Sequence, residues 1–431
     1  MKLKKNTIHT KNNYNEEKKS IEIIKEKIPK KKHNIKNKII KNDLYPYKEK
    51  DINEINEIST IENEIKHKEK ILKKLNPGDF ENIHNLAKST INYRADNTMC
   101  VFKSIDDNLY LIYACKKEDK INTIVSYNII DYKKINEIPN AHNGDIDNFR
   151  HYLDKINKRD LIMSISAKDN NIKIWSINKL EFLLNINNIN RVGFLKSASF
   201  LNYNNQIFIV TSNYSHSENA DPIKIYDFNG NKIKEIRYAN NNTFYIDTYY
   251  DIDTKINYII TGNYGYVKSY DYNNDKKYHK YKENKHIDKY EHYNIIINKR
   301  EDIVNLIDTT ENGLIRIWNF HTKELINKIK VSNNDYSNLY GICLWNNNYL
   351  SVGCGNFIKI VDLENEEVIS TLVGHNFNVI TIKTINHPKY GECIVSQDLY
   401  DGQIKLWVNK INKIKYLIDE LNKKLQNNEI I

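Results

Sequence analysis

Five times along this chain an apolar residue alternates with a basic one and the run ends on a large side chain. The segments are Ile172-Lys173-Ile174-Trp175, Ile223-Lys224-Ile225-Tyr226, Ile315-Arg316-Ile317-Trp318, Ile358-Lys359-Ile360-Val361 and Ile404-Lys405-Leu406-Trp407. Side chains on a strand point alternately to opposite faces, so this period of two predicts a strand with one buried face. A polar turn and a second run follow, as in Phe228-Asn229-Gly230-Asn231 before Lys232–Ile236, or His321-Thr322-Lys323 before Glu324–Ile329. Asn229-Gly230 predicts a type I′ hairpin turn, with positive φ at both residues. Two more apolar runs precede each alternation, such as Gly341–Trp345 and Tyr349–Gly353 across Asn346-Asn347-Asn348. Each unit therefore reads as four strands.

The units repeat. A strand-ending pair recurs at Tyr127-Asn128, Trp175-Ser176, Tyr226-Asp227, Tyr270-Asp271, Trp318-Asn319, Val361-Asp362 and Trp407-Val408, at intervals of 48, 51, 44, 48, 43 and 46 residues. Each such unit is one sheet that cannot bury its apolar faces alone. The predicted fold is all-β: a seven-bladed β-propeller of four-stranded blades.

The residues at these positions resemble WD40 repeats, over residues 80 to 412. In that family a His near the start of the blade, a Ser on its second strand, an Asp in the following turn and the Trp form a buried bracing set. His142, Ser164, Asp169 and Trp175 match it in one repeat, and His375, Ser396, Asp401 and Trp407 in another. The His-to-Ser offsets are 22 and 21, Ser-to-Asp 5 and 5, Asp-to-Trp 6 and 6. Gly374-His375 also matches the family's Gly-His pair, whereas Ala141-His142 departs from it. The other five units lack most of the set, and Tyr or Val replaces Trp in four of them.

Physically these polar groups read as structural, because a buried imidazole bonded to Ser and Asp avoids the cost of desolvated, unpaired polar atoms. Reading His375, Asp401 and Ser396 as a hydrolase triad would put the nucleophile in mid-strand, with neither a strand-to-helix elbow nor oxyanion donors. No His-x3-His or Cys-x2-Cys pair offers metal-ligand spacing, and the histidines, His292 among them, scatter mostly over predicted turns and outer strands. The sequence predicts neither an enzyme nor a bound metal or cofactor.

Composition adds three points. Gly (13) and Pro (6) are scarce for some twenty-eight strands, so Asn is expected to take the left-handed turn positions. The five cysteines fall mostly in apolar strand runs and read as reduced core residues. No apolar leader opens the chain and no run approaches a membrane span, which points to a soluble, intracellular and cytoplasmic protein. Nuclear import is the alternative, through Ile28-Pro29-Lys30-Lys31-Lys32.

Charge is concentrated at one end. Residues 1–48 hold 15 Lys against 5 Asp and Glu, a net +10 that equals the whole chain's +10. Residues 1–50 therefore read as a disordered basic arm, densest at Lys27, Lys30, Lys31, Lys32, Lys36 and Lys38. It holds no Arg, which disfavours bidentate base or phosphate recognition and leaves diffuse attraction to nucleic acid or an anionic surface. Residues 51–78 carry Ile52, Ile55, Ile58, Ile61, Ile65, Leu72 and Leu75 at helical spacing before Asn76-Pro77-Gly78 stops the helix. The propeller is assigned to 79–410. In residues 411–431, Ile411, Ile414, Ile418, Leu421 and Leu425 show the spacing of a helix that packs on a partner, as in a coiled coil, or on the propeller itself. A helix starting so soon after Trp407 leaves the last blade without an outer strand, and Phe80–Leu86 is the expected donor.

The function this predicts is non-catalytic: a scaffold or adaptor that binds protein partners through the loops of a WD40-like propeller. Candidate partner contacts are Tyr214 and His216 in a long loop, Tyr264 and Tyr266 in a turn, and Asn376 and Phe377. The alternative is a subunit of a ribonucleoprotein or chromatin assembly that uses the basic arm.

Overall fold

The structure, a computed structural model, describes residues 49–89, 98–116, 122–177, 181–187, 189, 194–212, 214, 222–237, 243–274, 276–283, 292–310, 312–332 and 339–428. The basic arm, with Lys27, Lys30, Lys31, Lys32, Lys36 and Lys38, lies outside them. The chain divides into two units: residues 67–422, and residues 1–66 with 423–431. Two helices run through the boundaries, Glu49–Leu72 and Lys410–Asn428.

Among the described residues, 67–422 contain twenty-eight strands in seven antiparallel sheets of four. Six sheets use four consecutive strands, so each is a simple meander. The first strands of the blades are Met99–Lys103, Asn148–Asp154, Ala198–Tyr203, Thr243–Asp251, His292–Arg300, Leu339–Trp345 and Val379–His387. Each packs beside the first strand of the next blade and the seventh packs beside the first, which closes a ring around a central channel. The expected seven-bladed propeller is the observed fold.

The seventh blade is not a meander. Its outer strand is Phe80–Lys88, paired antiparallel to Gln403–Asn409 from Phe80↔Asn409 to Lys88↔Gln403. Phe80 and Leu86 enter its core, and Ser89 donates its N–H to the carbonyl of Gly402 at 2.8 Å. Asn409 ties this seam together. Its Oδ1 accepts from the amides of Ile411 and Asn412 at 3.0 and 3.3 Å, capping the C-terminal helix, while its Nδ2 donates to the carbonyl of Pro77 at 2.7 Å. The first turns of that helix pack on the blade through Lys413–Glu81 at 2.6 Å and the Tyr416 and Tyr390 rings.

Third strands differ from the alternation's simplest reading. The basic residue does not stand fully in solvent: Lys224 and Arg316 are buried, and Lys173, Lys359 and Lys405 are half-buried. In three blades the stem packs and the cation reaches a backbone carbonyl in the loop leading into the blade: Lys173 to Ala141 at 2.7 Å, Lys405 to Gly374 at 2.6 Å and Lys224 to Ile189, whereas Arg316 turns to Asp308. In a propeller both faces of each blade are packed, so alternation here separates two kinds of burial.

Turns follow the predicted chemistry with one correction. Asn140, Asn170, Asn204, Asn205, Asn346 and Asn347 all have positive φ. At Asn229-Gly230, however, only Gly230 does, at +85°. The loop spans Asp227 to Asn231, and the Asp227 carboxylate accepts from the amides of Asn229 and Asn231 at 2.9 and 2.8 Å, imposing a five-residue turn in place of type I′.

Candidate functional site

Three features carry the polar chemistry of the propeller: the chains that brace its blades, the loop face at the start of the inner strands, and the channel.

In the seventh blade Trp407 Nε1 donates to Ser396 Oγ at 2.7 Å, Ser396 donates to His375 Nε2 at 2.7 Å, and His375 Nδ1 donates to Asp398 at 3.0 Å. The second blade repeats this: Trp175 to Ser164 at 2.9 Å, Ser164 to His142 at 2.8 Å, and His142 to Asn171 at 2.8 Å. The fourth member is therefore not the expected Asp of the turn. Asp169 lies 3.8 Å from the His142 ring and accepts instead from the amide of Asn143, and Asp401 accepts from the Asn376 side chain at 3.0 Å. Asp398 and Asn171 sit where the second strand ends and the third begins, facing the imidazole directly, whereas the turn aspartates are occupied by the loop leading into the blade.

Burial, with Lys173 nearby, pushes the His142 imidazole down to about 4 against the pull of Asn171 and Asp169, and burial likewise lowers His375. The unfolded chain protonates His142 at its ordinary 6.5. Stability present at neutral pH should thus fall as pH drops from about 6.5 towards 4, by up to about 3 kcal/mol from this group. Urea unfolding at pH 7.5 and 4.5 checks this; the pH difference should shrink in H142N, and an unchanged difference would remove His142 as its source.

A third braced blade escaped the sequence pattern. His292 is not in a turn or outer strand but opens the inner strand of the fifth blade, and its Nδ1 donates to Asp308 at 2.7 Å. Asp308 occupies the serine position, accepting also from Arg316 Nε at 3.2 Å and Trp318 Nε1 at 3.4 Å. Burial opposes its charge, but Arg316, His292 and their hydrogen bonds outweigh that and hold its carboxyl below the usual range. The signal available was Trp318 with an acidic residue ten positions before it, in place of the serine eleven before Trp175 and Trp407.

Loops leading into the inner strands and hairpins joining second to third strands share one face, because antiparallel strands return there. Phe244, Tyr340, Ile380 and Leu399 form a buried cluster on it, with half-buried Tyr214 against Phe244. Phe377 and Tyr400 stand out of this face, 38% and 63% exposed, with rings 5.4 Å apart. Asn376 and Tyr264 are exposed there as well. Tyr266 is not available to a partner: it is buried as the first residue of its strand, under the ammonium groups of Lys280 and Lys268 at 4.1 and 5.2 Å. His216 lies outside the described residues. On the opposite face, exposed Ile105, Ile156, Ile252 and Ile303 sit in or beside the hairpins joining first to second strands, a feature the sequence reading missed.

The channel contains two adjoining cavities of about 250 and 470 Å³. Lys383 and Asp247 line both, and Arg150 lines the larger. Asp247 accepts from Ser199 Oγ at 2.8 Å and from the Tyr245 hydroxyl at 2.9 Å. Arg150 reaches across to Ser197 and to the carbonyl of Ile246 at 3.2 Å, its guanidinium over the Tyr245 ring. Among the described residues no group of three His, Cys, Asp or Glu is placed to hold a metal, and no helix is long and apolar enough to cross a membrane.

No known family model matches the chain, and no characterised protein is detectably similar to it in sequence.

Proposed function

We propose that the chain is a WD40-like propeller acting as a non-catalytic scaffold, whose protein-binding surface is the face that carries Phe377 and Tyr400. The observation that carries this is the aromatic pair itself. Two exposed rings stand beside a packed apolar plug, on loops held in place by Asn376–Asp401 and by the amide of Leu399 on the carbonyl of Asn378 at 2.9 Å. Rigidly mounted aromatic side chains lose little entropy when a partner covers them, which is the physical basis of interface hot spots. The Trp–Ser–His chains of the second and seventh blades support the WD40 likeness. The serines in them are committed to Trp and His, which favours bracing over nucleophilic chemistry.

Affinity capture at two salt concentrations tests the reading with the wild-type chain, F377A/Y400A, I156S/I252S, and a chain lacking residues 1–48. Partners should survive removal of the arm and I156S/I252S and be reduced about tenfold or more by F377A/Y400A, the loss expected of one or two hot-spot rings. Loss with the arm or at higher salt would replace the scaffold reading by nucleic-acid association through the lysine cluster. Loss in I156S/I252S alone would move the surface to the opposite face.

A further inference from the structure

The channel holds more positive charge than it compensates. Two cations, Arg150 and Lys383, face one carboxylate, Asp247. That carboxylate is engaged by neutral donors: Ser199, Tyr245 and the amide of Thr248 at 2.8 Å. Neither cation forms an ion pair with it. Arg150 Nη2 is used, but its Nε is buried without an acceptor. Among the described residues the Lys383 ammonium makes no hydrogen bond or ion pair. The other ionisable neighbours do not supply the missing charge. Cys100 is held as a thiol, pushed up to about 12 by burial despite both cations, and burial also raises Cys343. His151 turns away, 2.7 Å from Asp160 and stacked on Phe102.

We propose that the central channel is a binding site for a small oxyanion, of phosphate or carboxylate type, received between Lys383 and the free Nε edge of Arg150. Two cationic donors set at one cavity, with a mixed polar and aromatic wall, suit an anion that brings its own acceptors. The cavity of about 470 Å³ has the size of a metabolite site. Burial, with Arg150 beside it, presses the Lys383 ammonium towards its neutral form, the condition a bound anion would relieve. Arg150, Asp247 and Lys383 come from the inner strands of three different blades, so no run of sequence could show the juxtaposition.

The test is the melting temperature of the full chain titrated with inorganic phosphate or with succinate, against chloride at matched ionic strength. Phosphate strengthens most folds without saturating, so the diagnostic result is a saturable rise that K383Q abolishes or shifts to roughly ten- to hundredfold higher concentration, the scale of one charged hydrogen bond. Saturation by one ion and not the other identifies the class. Without any anion K383Q should melt no lower than wild type, since it removes an uncompensated charge. A second measurement needs no variant: amine-reactive labelling of Lys383, read by peptide mass, should be suppressed by the saturating anion. No saturable rise with either ion, or a rise that K383Q retains together with unchanged Lys383 labelling, would overturn the site.

Discussion

Replacing Asp308 by Ala should cost about 3–5 kcal/mol of unfolding free energy, the largest loss expected from a single side chain in this propeller. Asp308 and Arg316 are both buried in the fifth blade, with His292 bonded to the same carboxylate. Truncation leaves a guanidinium in the interior with Glu283 3.8 Å away, a carboxylate that also holds Lys328 at 2.7 Å. The comparison is S396A in the seventh blade, where the lost groups are neutral and about 1–3 kcal/mol is expected. Since whole-domain stability is about 5–15 kcal/mol, D308A takes a large share of it. Urea unfolding of both variants checks the order. The double variant D308A/R316M should recover much of the loss, because the stranded charge leaves with its partner. A D308A loss below that of S396A would mean the cluster is not the charged brace described here.

Acid adds a second reading of the same group. The Asp308 carboxyl titrates lower in the folded chain than in the unfolded one, so the unfolded chain binds the proton more readily. Its contribution is complete above the unfolded value of about 4 and is lost as pH falls through the folded one. D308A lacks that component, so wild type and variant should converge below about pH 4. This window lies beneath the one set by His142, and the two effects separate on the pH axis.

What the sequence could and could not show follows from the range of each interaction. Period-2 runs and turn residues are local, so four strands per blade were readable from Ile172–Trp175 and its four counterparts, and seven blades from the seven strand-ending pairs. The outer-strand donor was readable for a topological reason, since a helix after Trp407 leaves one strand missing. The bracing acceptor was not: Asp398 and Asp401 are three residues apart, and which one meets His375 depends on how the turn is wound. His292–Asp308 was hidden because a carboxylate replaced the serine and the offset from His shortened to 16 residues, against 21 and 22 in the other braced blades. Tyr264 and Tyr266 look alike in sequence, yet one tops a hairpin and the other opens a strand. The channel cluster joins residues from separate blades and left no local trace at all.

Removing residues 1–78 should leave a cooperatively melting propeller, whereas removing residues 1–95 should abolish cooperative melting. The shorter deletion loses the Pro77–Asn409 bond, about 0.5–1.5 kcal/mol. The longer one strips Phe80–Lys88 from the seventh blade. Burial of Phe80 and Leu86 alone contributes about 3–6 kcal/mol at the usual 1.5–3 for a large apolar side chain. The strand Gln403–Asn409 would then present its unpaired amides and carbonyls at an open edge, a site for aggregation as well as unfolding. Against about 5–15 kcal/mol for the whole domain, those losses decide the outcome. Gly402 gives the same seam a single-residue probe. Its φ is +61°, and a Cβ there would lie 1.9 Å from the Ser89 carbonyl oxygen. G402A must therefore both adopt a left-handed backbone and push Ser89 away from the turn it bonds, a loss of about 1–3 kcal/mol. If closure by the N-terminal strand holds the ring, G402A in the full chain should lower the urea midpoint. A cooperative melt retained without residues 1–95 would show that the other six blades and the remaining three strands suffice, and that the seam is an accessory.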